Sequence, residues 1–273
     1  LILFFSSSVL PVIANDQEFD RLIAEKKFEE ARKFLNDKKA KCKGDLSLAD
    51  IHLGFAKIEI KKGDKESAKI ELDKSFELIN NHYGSNHDET ANYCNKIGDI
   101  LHGELYLFKD AVSYYQIALD IYQRKEPADS AAIITTLNNI GLSYVFEGAF
   151  ELAEENHKKA LDLALNTSNL DPLILHDTYT KLGGLYTKTI EYDLAETNLQ
   201  KAIEVWERGN MPDTLVQIAK TYEELSYVVA GRGNYAEAVL LGKKAIEILE
   251  NRFGENSSRL ILPCLDISWC YES

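Results

Sequence analysis

The 273-residue chain is poor in proline and glycine, with five and 15, which leaves little room for disordered linkers. It is also short of positive charge: 31 lysines and arginines stand against 44 acidic residues, for a formal charge of −13. Such a surface repels a polyanion, and the sequence has neither a long basic face nor the aromatic and glycine signatures of RNA-binding modules, so nucleic acid is not an expected partner. Motifs that carry chemistry are missing too. There is no glycine-rich phosphate loop, zinc-type cysteine pair or Gly-x-Ser-x-Gly elbow, so neither an enzyme nor a cofactor is expected.

Long apolar runs are absent after the first residues, and nothing there approaches the ~20 apolar residues that span a bilayer. The start differs. Leu1-Ile2-Leu3-Phe4-Phe5 and Val9-Leu10 are apolar, no charge precedes Asp16, and Val12-Ile13-Ala14 is small where a signal peptidase would cut. Residues 1–14 therefore read as a partial signal peptide without its charged start, which predicts a periplasmic or secreted protein. The alternative is a buried first helix in a cytoplasmic one.

Cysteine is scarce. Cys94 and Cys264 fall at equivalent apolar places far apart in the chain, and Cys264 and Cys270 face different sides of one expected helix. Buried free thiols are therefore expected over disulfides.

What is present is a beat. Ala68, Ala111, Ala153, Ala195 and Ala238 stand 43, 42, 42 and 43 residues apart. Leu137, Ile140, Gly141, Tyr144, Ala153 and Ala160 become Tyr179, Leu182, Gly183, Tyr186, Ala195 and Ala202 with every offset kept. Tyr222, Leu225, Ser226, Val229, Ala238 and Ala245 continue the series. Cys94, Ile97, Gly98, Leu101, Ala111 and Ala118 precede it if one extra residue enters the loop. Ala56, Ala68 and Ser75 mark an earlier unit, and Phe28-Glu29-Glu30-Ala31 a weaker start.

Within each unit the apolar residues recur three and four apart, the helical period, and Gly63-Asp64, Gly148 and Gly233-Asn234 break the runs. Each unit is therefore a helical hairpin. Gly141 or Gly183 on the first helix, with the alanines of the second, allows close approach, where a leucine would overpack at about 1–3 kcal/mol.

The segments Leu137-Asn138-Asn139-Ile140-Gly141-Leu142-Ser143-Tyr144 and Tyr235-Ala236-Glu237-Ala238 resemble the tetratricopeptide repeat (TPR), in the long form of about 42 residues seen in kinesin light chains and many bacterial proteins. So do the connectors Tyr83 to Ala91 and Phe253-Gly254-Glu255-Asn256. The resemblance implies an all-α, right-handed α-solenoid of five to six hairpins over residues 15–273, stacked as quasi-one-dimensional repeats. Cys264, Ile267, Ser268 and Tyr271 fit the first helix of a further hairpin, so the array is expected to be cut within its last repeat.

The resemblance also implies that first helices line a groove that binds a protein or peptide. Candidates are Asn92, Asn95, Lys96 and Asp99; then Asn138, Asn139 and Leu142; then Lys181 and Lys188; and Tyr227. Asparagine suits the task because its amide both donates and accepts. The competing reading is that Asn95, Asn138 and Asn139 bridge helices. Some relatives clamp a terminal carboxylate with two asparagines and three basic residues. Asn139 and Lys181 match two of those places, but Asn95, Asp99 and Asp177 depart from the rest, so that clamp is not expected.

His82, His87, Asp88 and Glu89 are too readily explained by the connector to predict a metal, and His157 is expected at a helix contact. Glu151, Glu154, Glu155, Lys158 and Lys159 are spaced as solvated pairs of about 0.2–0.5 kcal/mol each. Three functions remain open. They are a non-enzymatic binding scaffold, the recognition region of a longer protein with a caspase-like peptidase, kinase or regulator domain, and an intracellular peptide receptor. Oligomeric state is not specified.

Overall fold

The computed structural model describes residues 16–209, 211–212, 216–255 and 257–260. The expected leader at 1–14, the fragment of a further hairpin, and Cys264 and Cys270 lie outside the described residues. Among the described residues there are twelve α-helices and no strand. They pair in sequence as six hairpins, in two compact units divided between Glu126 and Pro127.

Unit 1 contains α1 (Gln17–Ala24), α2 (Phe28–Lys39), α3 (Asp45–Lys62), α4 (Lys65–Tyr83), α5 (Asp88–Ile100) and α6 (Phe108–Arg124). Its first hairpin closes on Phe19, Leu22, Ile23, Ala31 and Leu35, joined by Ile51, Phe55 and Ile58 of α3. Burial of such side chains contributes roughly 1.5–3 kcal/mol each. Asp16 starts α1, its carboxylate accepting from the amides of Glu18 and Phe19 and from Lys38 Nζ. The lysine, ahead of these two amides, draws its pKa below the ordinary aspartate value.

Unit 2 contains α7 (Ser130–Glu147), α8 (Phe150–Asn166), α9 (Pro172–Lys188), α10 (Tyr192–Arg208), α11 (Val216–Gly231) and α12 (Tyr235–Phe253). Here α8 packs on α9 and α10 on α11, while α7 touches α9 and α9 touches α11. The first helices thus form a row of their own. Leu182, Tyr186, Leu199, Leu225, Val228 and Val229 share one core across two hairpins.

The alanine ladder is buried throughout: Ala68, Ala111, Ala153, Ala195 and Ala238 are each 0% exposed. A second ladder runs through the hairpin turns, where Lys26, Gly63, Tyr106, Gly148, Ile190 and Gly233 all have φ between 57° and 85°. In five of these turns two amides reach back to the preceding helix, as when Gly148 N meets Val145 O and Ala149 N meets Tyr144 O. This closure satisfies carbonyls that the helix end leaves open. Glycine serves it without strain, whereas Ile190, which is β-branched, does not.

The sixth turn differs. The extra residue expected in the loop between Gly98 and Ala111 lies instead in the helix: Leu101–Leu105 form a π-helical turn, and Leu107 N reaches back to Leu101 O at 2.8 Å. An added residue keeps its hydrogen bond when the helix widens locally, so the surplus appears as a π bulge.

Candidate binding surface

The glycines of the first helices hold large side chains from the second. A Cβ built on Gly98 would stand 2.5 Å from the Tyr115 ring, one on Gly141 2.6 Å from His157 Cε1, and one on Gly183 2.6 Å from Leu199 Cγ. Tyr115, His157 and Leu199 are 42 residues apart, so glycine is required at one fixed contact in three hairpins.

A run of threonines accompanies it. Thr136, Thr178 and Thr221 are 0% exposed, and each hydroxyl donates to the carbonyl four residues earlier. Thr178 also receives Asn138 Nδ2 at 2.7 Å, and Asn138 Oδ1 lies 3.1 Å from His157 Nδ1. Asn138 is 1% exposed with both ends of its amide engaged inside unit 2. As a groove residue it is corrected: it bridges α7 to α8 and α9, because its position faces the neighbouring hairpins and not solvent.

The other candidates of unit 2 lie on its row of first helices. Asn139 and Leu142 are half-buried on α7, Lys188 is exposed on α9, and Tyr227 is 57% exposed on α11. Lys181 lies 3.2 Å from Asp177. Glu224, facing α9 from α11, has Lys220 3.6 Å from Oε1, while Oε2 has no hydrogen-bond partner among the described residues. Burial raises its pKa, against the pull of Lys220.

Leu142, Gly184 and Tyr227 occupy one repeat position on three successive first helices, 42 and 43 residues apart. A Cβ on Gly184 would meet only Glu224 Oε2, at 3.5 Å. The column is therefore a half-buried leucine, a bare glycine and an exposed tyrosine: an indentation between two large side chains. A separate cavity of about 110 Å³ lies at the turn end, where Phe150, Glu154, Tyr186 and Glu191 surround it.

Unit 1 brings its candidates together on α5. Asn92 Oδ1 accepts from Tyr122 OH at 2.7 Å, Asn95 Nδ2 approaches the same hydroxyl at 3.5 Å, and Asp99 accepts from Tyr115 OH at 2.7 Å. Three of the four are thereby tied to α6, and half-buried Lys96 completes the group. His87 caps α5, its Nδ1 accepting from Glu89 N at 3.1 Å. Cys94 and Cys42 are free thiols, and burial pushes that of Cys94 up to about 12. No helix among the described residues is long and apolar enough to cross a membrane.

Sequence reasoning did not find the His157–Asn138–Thr178 relay or the contact of His176 with Thr221. A signal existed in the threonines at 136, 178 and 221, which keep the same beat as the alanines.

Paired helices at this spacing, glycine contacts and a row of first helices define an all-helical repeat protein. The chain belongs to the tetratricopeptide repeat family, whose profile matches residues 104–166 and 175–251, just over half of its length. Its fold is similar to that of BtubC (BKLC) from P. vanneervenii, at 19% identity and a TM-score of 0.62, over 89% of this chain and 95% of that one. It is also similar to the apo quorum sensor NprR from B. thuringiensis, at 17% identity and a TM-score of 0.64, covering 93% and 68%. A Rap protein complexed with competence and sporulation factor aligns at 18% identity and a TM-score of 0.58, covering 93% and 69%. No curated relative matches the chain in sequence.

Proposed function

We propose that this protein is a non-enzymatic scaffold that holds a segment of a partner protein or a peptide against the first helices of unit 2. The observation that carries the reading is the column Leu142, Gly184 and Tyr227. An exposed tyrosine supplies a large contact area at little conformational cost, and the gap at Gly184 gives a side chain of the ligand somewhere to enter. The likeness in fold to a Rap protein solved with a bound factor supports the same use.

The reading is tested by selecting binders from a random dodecapeptide library on the intact protein. Tyr227→Ala, which removes the aromatic wall, and Gly184→Leu, which fills the gap, should each weaken the selected peptides about tenfold or more while helicity is unchanged. Peptides that bind both variants as tightly as the original protein would contradict it.

A further inference from the structure

His157 is a buried ionisable group with no part in the binding surface, and its hydrogen bonds fix the tautomer of its neutral form. The Thr178 hydroxyl donates to Ile174 O at 2.8 Å, so its oxygen must accept from Asn138 Nδ2 at 2.7 Å. That fixes the Asn138 amide with Oδ1 toward His157 Nδ1 at 3.1 Å. A carbonyl oxygen only accepts, so Nδ1 carries a proton, and in the neutral ring Nε2 is a bare lone pair. Nε2 is buried without a partner among the described residues and faces Gly141, where a Cβ would stand 2.8 Å away.

Among the described residues, nothing around the ring would welcome a second proton. On α7, Glu147 is the only charged residue and is its last, and Tyr144 its only other titratable one. From α9, Lys181 repels a cation at His157, and Asp177 is paired with that lysine. On α8 itself, Glu154 holds Lys158 and the Tyr186 hydroxyl, and Glu155 holds Lys159. His176 is the contrast. Its Nδ1 donates to Ala202 O at 3.0 Å, and its Nε2 is 3.3 Å from Thr221 Oγ1, which can accept while donating to Gln217 O.

We infer that His157 is an acid-sensitive lock on the α7/α8 hairpin and, through Asn138, on its joint with α9: the neutral Nδ1-protonated ring seats on Gly141, and a second proton, which finds no acceptor at Nε2, drives the ring off that glycine and draws Asn138 from Thr178. Because α7 and α9 belong to the proposed binding row, acid would also loosen that row, a consequence that rests on the proposed function. The joint itself does not.

The sign follows from burial, which lowers the pKa from 6.5 to about 3 in the folded chain. The stabilisation is complete above 6.5 and is lost as pH falls from there toward 3, by up to about tenfold in the folding equilibrium per pH unit.

The test has two parts, and neither needs a ligand. Nitrogen-15 spectra of histidine-labelled protein at pH 5.5 should show His157 neutral and protonated on Nδ1, and a charged His157 in the folded protein would overturn the lock. Urea unfolding is then followed by Trp206, packed on His176 with ring centroids 4.9 Å apart, with Trp269 replaced by phenylalanine. The reference is Asn138→Thr with His157→Leu, which installs the residue types of Thr180 and Leu199 from the next hairpin. From pH 7.5 to 5.5 the folding equilibrium of the parent should fall about tenfold more than that of the double variant. Equal pH dependence would overturn the proposal, and if the double variant does not fold, the spectra of the parent decide.

Discussion

The imidazole of His157 rests on Gly141 so closely that a Cβ on the glycine would lie 2.6 Å from Cε1 and 2.8 Å from each ring nitrogen. The ring has no room to swing aside, since His157 is 0% exposed and its Nδ1 is held by Asn138. Gly141→Ala should therefore destabilise the protein by about 1–3 kcal/mol, read as a lower urea midpoint. Gly184→Ala is the control: its Cβ meets only a carboxylate oxygen at 3.5 Å, so the better helix former should raise stability by roughly 0.5–1 kcal/mol.

Ile190 sits at φ 64° in a turn whose equivalents at 63, 148 and 233 are glycine. The left-handed conformation costs an L-residue roughly 1–2 kcal/mol, more of it recovered by glycine than glycine loses in chain entropy. Ile190→Gly should raise the melting midpoint by the equivalent of about 0.5–1 kcal/mol. A lower midpoint would mean that this side chain, 70% exposed, makes a stabilising contact.

Asn138 and Tyr227 should separate cleanly. Asn138→Ala leaves His157 Nδ1–H without an acceptor and the Thr178 oxygen without its donor, at a cost of about 1–3 kcal/mol in thermal or urea unfolding. Tyr227→Ala removes an exposed side chain and should stay within about 0.5 kcal/mol in the same assay.

The π turn at Leu101–Leu105 makes a prediction of its own. A Cβ on Gly103 would touch nothing within 4 Å, so deleting Gly103 removes the surplus residue from open space. The shortened chain should regain the turn spacing of unit 2 and keep its stability to within about 1 kcal/mol. Loss of cooperative unfolding in unit 1 would show that the bulge is required for packing.

The helices were legible because packing imposes size: Ala153 and Ala195 recur where two helices meet, and the glycines at 98, 141 and 183 recur where a large side chain lands. The position of the added residue was not legible, since a surplus of one fits a loop or a widened helix equally well in sequence. Nor was the fate of Asn138. Its partners lie 19 and 40 residues away, and only the stacking of hairpins reveals that an amide suited to a ligand is occupied by His157 and Thr178. Tyr227 and Lys188 needed no such partner, and their exposure follows from the repeat phase alone.

Whether a partner lies on the first helices of unit 2 is read by placing a photo-crosslinking amino acid at Tyr227 and, separately, at Gln200 of the second helix α10, then irradiating cells of the native host. A discrete crosslinked partner from position 227 and none from 200 is the expected result. Crosslinks from 200 alone, or the same adduct from both, would contradict the proposed function.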